Sequence, residues 1–404
     1  MNILFLIFNL VVLSFLRVNN KIIIFIIFLL LSLGSKYGQV ISGGDTSHFY
    51  FKIFEGKILP GEIGYYYFVT LINWLSGDRP YIGFYIENLI VSFLYVILAV
   101  NFYSILKGIS NYKIPNYGIF LFNFLILTIA LEYYFIGARN FFANILFLIG
   151  IVMFLKNKIK VAILYFILSS TFHIIGIIML VNGLLTLILF RIFSFKNNMQ
   201  ILKSKFINWK FRYFLLLPNI LMLLFLVIVI FFIRDNFVQF TQLFKFMPLV
   251  YQKFRSYTGE TTNFDNVIQL TSYMRFLIYS LIFYYIFSTP LRKKGVEIKS
   301  RVNVILKMKL ISIASMSSLL FFLLLNFYNI IPYLTLTRIY ATFQSIALIL
   351  LLLHAHSERS NKSYFLLFIL ISIWVTSLIT NILRYNDMNS IQNFLLFSYP
   401  SIIS

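Results

Sequence analysis

The chain contains no cysteine, only four histidines, and 12 carboxylates against 34 lysines and arginines. Without cysteine there is no disulfide, no thiolate nucleophile and no thiol-ligated metal. Four histidines, two of them in His354-Ala-His356, leave little material for any metal centre, and none is expected. No Asp-x-Asp pair occurs, so no metal-bound diphosphate and no cofactor are expected either. Charge of any sign is scarce: 11% of the residues are charged, 60% are hydrophobic and the mean hydropathy is +0.89. Such a composition excludes an ordinary soluble domain. In a soluble chain a net charge of +22 would suggest nucleic acid, but in a membrane chain the distribution of charge matters more than its sum.

What is present is a succession of apolar runs. The expected fold class is all-α, a polytopic transmembrane protein of about twelve spans with additional interfacial or re-entrant helices. No run of polar composition is long enough for a separate soluble domain, so residues 1–404 are taken as a single membrane domain. The first runs, 1–16 and 22–33, lack a basic start and a small-residue cleavage site, and are read as retained spans. Residues 34–80 are less apolar and form an outer interfacial or re-entrant segment. Within it, Asp45 suits the N-cap of a short amphipathic helix, and Glu62 opens a run of marginal length. Clearer spans follow at 82–106, 117–136, 139–155, 161–173, 174–190 and 213–233, then a polar outer loop at 234–266. The last spans are 267–287, 310–329, 339–353 and 364–383.

Residues 137–176, GARNFFANILFLIGIVMFLKNKIKVAILYFILSSTFHIIG, are the most informative stretch. Two apolar runs flank a short basic turn carrying Lys156, Lys158 and Lys160. At about 1.5 Å rise per residue the first run descends most of a bilayer and the second climbs back. His173 therefore returns to the face where Arg139 began, and a break near His173 is expected. Most other lysines fall in loops on the basic side, which the positive-inside rule makes cytoplasmic. The lysine-rich stretches at 196–212 and 292–309 are read as topology determinants touching anionic lipid. On the opposite side gather Asp45, His48, Glu55, Glu62, Asp78, Glu132, Arg139, His173, Arg255, Arg338 and most remaining carboxylates. Charges inside or at the edge of apolar spans are costly, so Glu132, Arg139, Arg275 and Arg338 point to an outward-facing polar cavity.

Gly44-Asp45, Glu62-x-Gly64-Tyr65, Gly137-Ala138-Arg139-Asn140-x-x-Ala143, Phe172-His173 and Thr337-Arg338-x-Tyr340 occur in that order. In this the chain resembles the EpsG-type branch of the O-antigen polymerase (Wzy) family, whose members more often carry Arg-Gln and Asp-Tyr where this chain has Arg139-Asn140 and Asp45-Thr46. The resemblance implies a GT-C-like integral membrane glycosyltransferase of the bacterial inner membrane, with its site facing the periplasm. It implies transfer of a growing glycan from undecaprenyl diphosphate to the next lipid-linked repeat unit. Implied partners are that lipid-linked donor and acceptor, membrane lipid, a chain-length regulator and a flippase, with no nucleic acid.

The residues can be matched to that chemistry. Displacing a diphosphate from an anomeric carbon builds negative charge on the leaving oxygens, which the guanidinium fork binds bidentately. Arg139 and Arg338 are the first choices for this role, with Arg275 and Arg255 behind them. The acceptor hydroxyl needs a base, for which Asp45, Glu62 and His173 are the candidates. Direct displacement by one base would invert the anomeric centre, whereas double displacement needs two carboxyl groups about 5 Å apart. Each residue also has a structural reading: Arg139 snorkelling to headgroups, His173 at a helix break, Asp45 and Glu62 as helix caps. Two other function classes stay open, a lipid-linked oligosaccharide flippase or transporter and an O-antigen ligase or membrane acyltransferase. Against a transporter with two related halves, no internal repeat links residues 1–200 to 201–404.

Overall fold

The computed structural model describes residues 53, 63–109, 121–122, 125, 138–195, 266–289, 299–327, 333–358 and 361–372. The elements are α1 (Ile63–Ser76), α2 (Pro80–Ile109), α3 (Ala138–Leu155), α4 (Ile159–Phe172), α5 (Ile174–Phe195), α6 (Asn266–Ser288), α7 (Lys299–Phe327), α8 (Tyr333–Glu358) and α9 (Asn361–Ser372). No strand occurs among the described residues. Among the described residues, two helices are long and apolar enough to cross a membrane: Tyr85–Ile109, with mean hydropathy 2.3, and Asn303–Phe321, with 1.7. The chain divides into two compact units, Met1–Ile177 with Leu352–Ser404, and Ile178–Leu351.

In the first unit, α1 and α2 form a tight helical hairpin. The Gly77 N–H meets the Trp74 carbonyl, the Asp78 N–H meets the Asn73 carbonyl, and Gly77 lies at φ 60°. That is a Schellman ending, with glycine at the left-handed position it favours. Pro80 then opens α2, where its missing N–H costs nothing, and the Arg79 carbonyl accepts the first bond from Gly83.

The α3 helix ends in the same way. The Asn157 N–H bonds the Phe154 carbonyl and the Lys158 N–H the Met153 carbonyl, with Asn157 at φ 64°. The chain reverses there, and α4 returns along α3. Contacts step down the pair in antiparallel order: Phe142 to Phe172, with ring centroids 5.2 Å apart, then Ser169 Oγ donating to the Ala143 carbonyl at 2.7 Å, then Phe147 to Phe166 at 5.1 Å. Lys156, at the turn, donates to Asn101 Oδ1 of α2 at 2.9 Å. Burial, with the charge of Lys158 behind it, lowers the Lys156 pKa. The sequence expectation of a basic turn here and a break at His173 is met: α4 stops at Phe172, His173 is extended at φ −157° and ψ 153°, and α5 begins at Ile174.

In the second unit, α5, α6 and α7 share a core of Leu189, Phe287, Leu306, Leu310, Ile313 and Ala314. Here the sequence reading needs correction. The lysine-rich stretch 292–309 was read as a loop, but α7 already starts at Lys299, and Lys307 and Lys309 are buried. Lys309 Nζ donates to the carbonyls of Phe287 at 2.7 Å and of Thr289, closing the C-terminal end of α6. Lys307 Nζ stands 5.1 Å from the centre of the Phe190 ring of α5. These lysines hold helix ends together rather than meeting lipid. The 339–353 span is likewise longer than expected, running Tyr333–Glu358.

Apolar side chains line exposed helix faces as well as the interior. Exposed apolar side chains recur along one face of α1 (Ile63, Tyr67, Leu71, Trp74), of α2 (Ile82, Tyr85, Leu89, Phe93) and of α5 (Ile177, Val181, Leu184, Ile188). Trp74 is 76% exposed while Glu87 is 0% exposed. Every residue of Arg139–Leu155 is buried.

The Asn157 turn generates a testable expectation. Asn157→Val puts a β-branched residue at positive φ and should cost about 1–2 kcal/mol, whereas Asn157→Gly should be neutral or stabilising. Reversible unfolding in mixed micelles measures both, and equal stability of the two variants would contradict the left-handed turn.

Candidate functional site

The site lies at the end of the first unit opposite the basic turn. Antiparallel packing of α3 and α4 sets Arg139, in the first turn of α3, and His173, just past the last residue of α4, at the same end. Both are buried, Arg139 at 7% exposure and His173 at 2%. Asn140 and Ser169 beside them are buried as well.

Phe142 is the hub of this end. Its ring lies 4.7 Å from Phe68, 5.2 Å from Phe172, 5.7 Å from Phe141 and 6.5 Å from Tyr65. The cluster ties the N-terminal half of α1 to the start of α3 and the end of α4. Gly64 permits this approach, since a Cβ there would fall 2.8 Å from Thr171 Cβ and 2.9 Å from its backbone carbon. Gly64 and Tyr65 are thus fixed by contact, which accounts for glycine and an aromatic at those positions.

His173 closes one helix and opens the next. Its carbonyl accepts the Gly176 N–H at 2.8 Å, and its Nδ1 accepts the Ile175 N–H at 3.2 Å, an N-cap made with an imidazole. The partially positive N-termini of α3 and α5 consequently face the same end as Arg139. Guanidinium and helix N-termini together are suited to an anion.

A further group went unnoticed in the sequence. Tyr95 of α2 lies 5.3 Å from Phe141, and Asn101 meets Lys156, so α2 and α3 run in the same sense. Glu87, two turns before Tyr95, is therefore on the Arg139 side of α2, wholly buried. Its signal was a carboxylate alone in an apolar span, which by its cost alone marks a position of interest.

The other residues selected from sequence are distributed as follows. Asp45, Glu62, Arg255 and the loop before Asn266 lie outside the described residues, although Ile63, next to Glu62, opens α1. Arg275 is half-buried on α6 and Arg338 is carried on α8, both in the second unit. Among the described candidates, Arg139 and His173 are the pair brought together. His354 and His356, to which the sequence gave no role, are buried and bond Ser363 Oγ at 2.9 Å and Tyr364 OH at 3.1 Å, joining α8 to α9. No group of three or more metal-ligating side chains occurs among the described residues.

No protein-family model, no curated protein and no solved structure matches the chain.

The packing that builds this end can be tested by substitution. Ser169→Ala removes a buried hydrogen bond and should cost about 1 kcal/mol. Gly64→Val collides with backbone as well as side chain, and should cost more, about 1–3 kcal/mol. Unfolding measurements that rank Gly64→Val as the milder change would contradict the contact of α1 with α4.

Proposed function

We propose that the chain is a polytopic membrane glycosyltransferase that polymerises a polysaccharide. It would transfer the growing glycan from undecaprenyl diphosphate to a lipid-linked repeat unit at the periplasmic face of the bacterial inner membrane. The observation that carries this reading is the polarity of the α3–α4 hairpin. Arg139, His173 and two helix N-termini gather at one end, whereas Lys156, Lys158 and Lys160 occupy the other. An end built for an anion, opposite an end rich in lysine, fits a lipid diphosphate presented on the outer side.

The exposed apolar stripes and the buried polar groups support a bilayer surround and, with the apolar runs outside the described residues, about twelve spans. The GT-C-like architecture and the inverting outcome follow from the family resemblance and from single displacement. Arg139 would hold the diphosphate. Asp45, Glu62 or His173, as read from the sequence, or Glu87 would take the acceptor proton. A chain-length regulator and a flippase would act with the enzyme.

A second reading, a lipid-linked oligosaccharide flippase, is favoured by polar bonds inside the second unit. Asn182 Nδ2 donates to Ser315 Oγ at 3.3 Å, and Tyr279 OH to Gln344 Oε1 at 2.8 Å. The two readings differ in what accumulates on loss of the protein: single repeat units outside for a polymerase, units trapped inside for a flippase.

The natural absence of cysteine makes the topology directly accessible, because each introduced cysteine is the sole target for labelling. Cysteines replacing Ala138 and Asn157 should label from opposite sides of the membrane. Arg139→Ala should reduce polymerisation of purified lipid-linked repeat units by roughly 100-fold or more, and Arg139→Lys should restore only part. Long chains from Arg139→Ala at normal protein level would sink the reading.

A further inference from the structure

We propose that the α1–α2 hairpin is a lipid-facing wall that crosses the leaflet opposite the Lys156 turn and carries its tip into the headgroup layer. The placement rests on helix directions and lengths within the first unit, and it holds whatever the chain transfers. Direction comes first. Because α2 runs in the sense of α3 and α1 runs against α2, α1 heads away from the basic turn. Its first residues are already level with the far end of the α3–α4 pair: Gly64 packs on Thr171, and Phe68 lies 4.7 Å from Phe142 and 5.8 Å from Phe172. The rest of α1 rises past that end.

On α2, Tyr95 is the residue that meets Phe141 in the first turn of α3, and from Tyr95 back to Pro80 the helix measures about 22 Å. The contacts at Tyr95 and Asn101 cover about 9 Å of α2, whereas those at Phe141 and Lys156 cover about 22 Å of α3. Thus α3 leans across α2, and its first turn stays well short of the tip. Length then identifies the surroundings. Lys156 bonds Asn101, and from Asn101 to Pro80 α2 measures about 32 Å, close to the thickness of the hydrocarbon core of a bilayer. With Lys156 at one surface, the Gly77–Arg79 turn falls at the other.

The side chains follow that placement. No charged residue occurs in α1, and the single carboxylate of α2, Glu87, is wholly buried. Tyr67 and Leu71 on α1 and Ile82, Tyr85 and Leu89 on α2 are exposed. Thr70 is exposed among them and gives its hydroxyl to the Tyr66 carbonyl at 2.9 Å, which is how a hydroxyl is satisfied where its neighbours are acyl chains. Charge and indole are kept for the tip. Asp78 and Arg79 are exposed there beside Trp74, the composition of a membrane–water boundary. A hairpin standing in water would carry charge along its length, and one covered by protein would need no match to bilayer thickness.

The test puts single nitroxide labels on the full chain in lipid bilayers, through cysteines introduced at exposed positions of a protein that has none. Tyr85→Cys, Leu89→Cys and Phe93→Cys sample α2, Leu168→Cys samples the end of α4, and Asp78→Cys the tip. Ile82→Cys and Leu164→Cys supply second labels on the same two helices should one of these variants fail to fold. Relaxation by oxygen, which concentrates in lipid, compared with relaxation by a water-soluble nickel chelate gives the depth of each label. Asp78 should be open to nickel, depth should increase from Tyr85 through Leu89 to Phe93 by up to about 12 Å, and Leu168 should lie at least as deep as Leu89. Nickel access at Leu89 equal to that at Asp78 places the hairpin in water. Protection of Leu89 from both reagents places a protein partner on it, and a Leu168 label as shallow as Tyr85 removes the overhang; each of the three overturns the proposal. Polymerisation of lipid-linked units is a separate measurement, so loss of that reading leaves the depths to decide this one.

Discussion

A helix leaves its last amides and carbonyls without partners of its own, and the ends of α1, α3 and α6 and the start of α5 are shaped by that requirement. Gly77 and Asn157 let the chain fold back on its own carbonyls after α1 and α3. Lys309 bonds the carbonyls that α6 leaves behind. His173 answers an amide at the start of α5 with its ring. Thr186 and Ser312 satisfy their hydroxyls on carbonyls one turn back, at 2.9 Å each, so a polar side chain does not need a partner from outside its helix. The His173 ring is oriented by the same need, its Nδ1 turned to a backbone amide that lacked an acceptor.

The α3–α4 hairpin converts a local device into a global polarity. Its turn carries lysines and its open end carries Arg139, so one pair of helices separates two kinds of cation across its length. Lysine at the turn lies near the C-terminal end of α3, where its charge opposes the helix dipole favourably. Arginine at the other end lies beside two helix N-termini, the unfavourable end for a cation. It is buried there at 7% exposure.

Much of this was legible in the sequence, for reasons that are physical. The hairpin was readable because Lys156, Lys158 and Lys160 interrupt a uniform apolar run, and few other causes place three lysines there. The break at His173 followed from keeping basic loops on one side. Glu87 was missed because attention to loops passed over a single carboxylate within a span. The lysines of α7 misled because composition cannot distinguish an ammonium in water from one seated on helix-end carbonyls. Nor could spacing have indicated Gly64 as a contact residue, since its neighbour Thr171 is more than a hundred positions away and the two meet only through packing of α1 on α4.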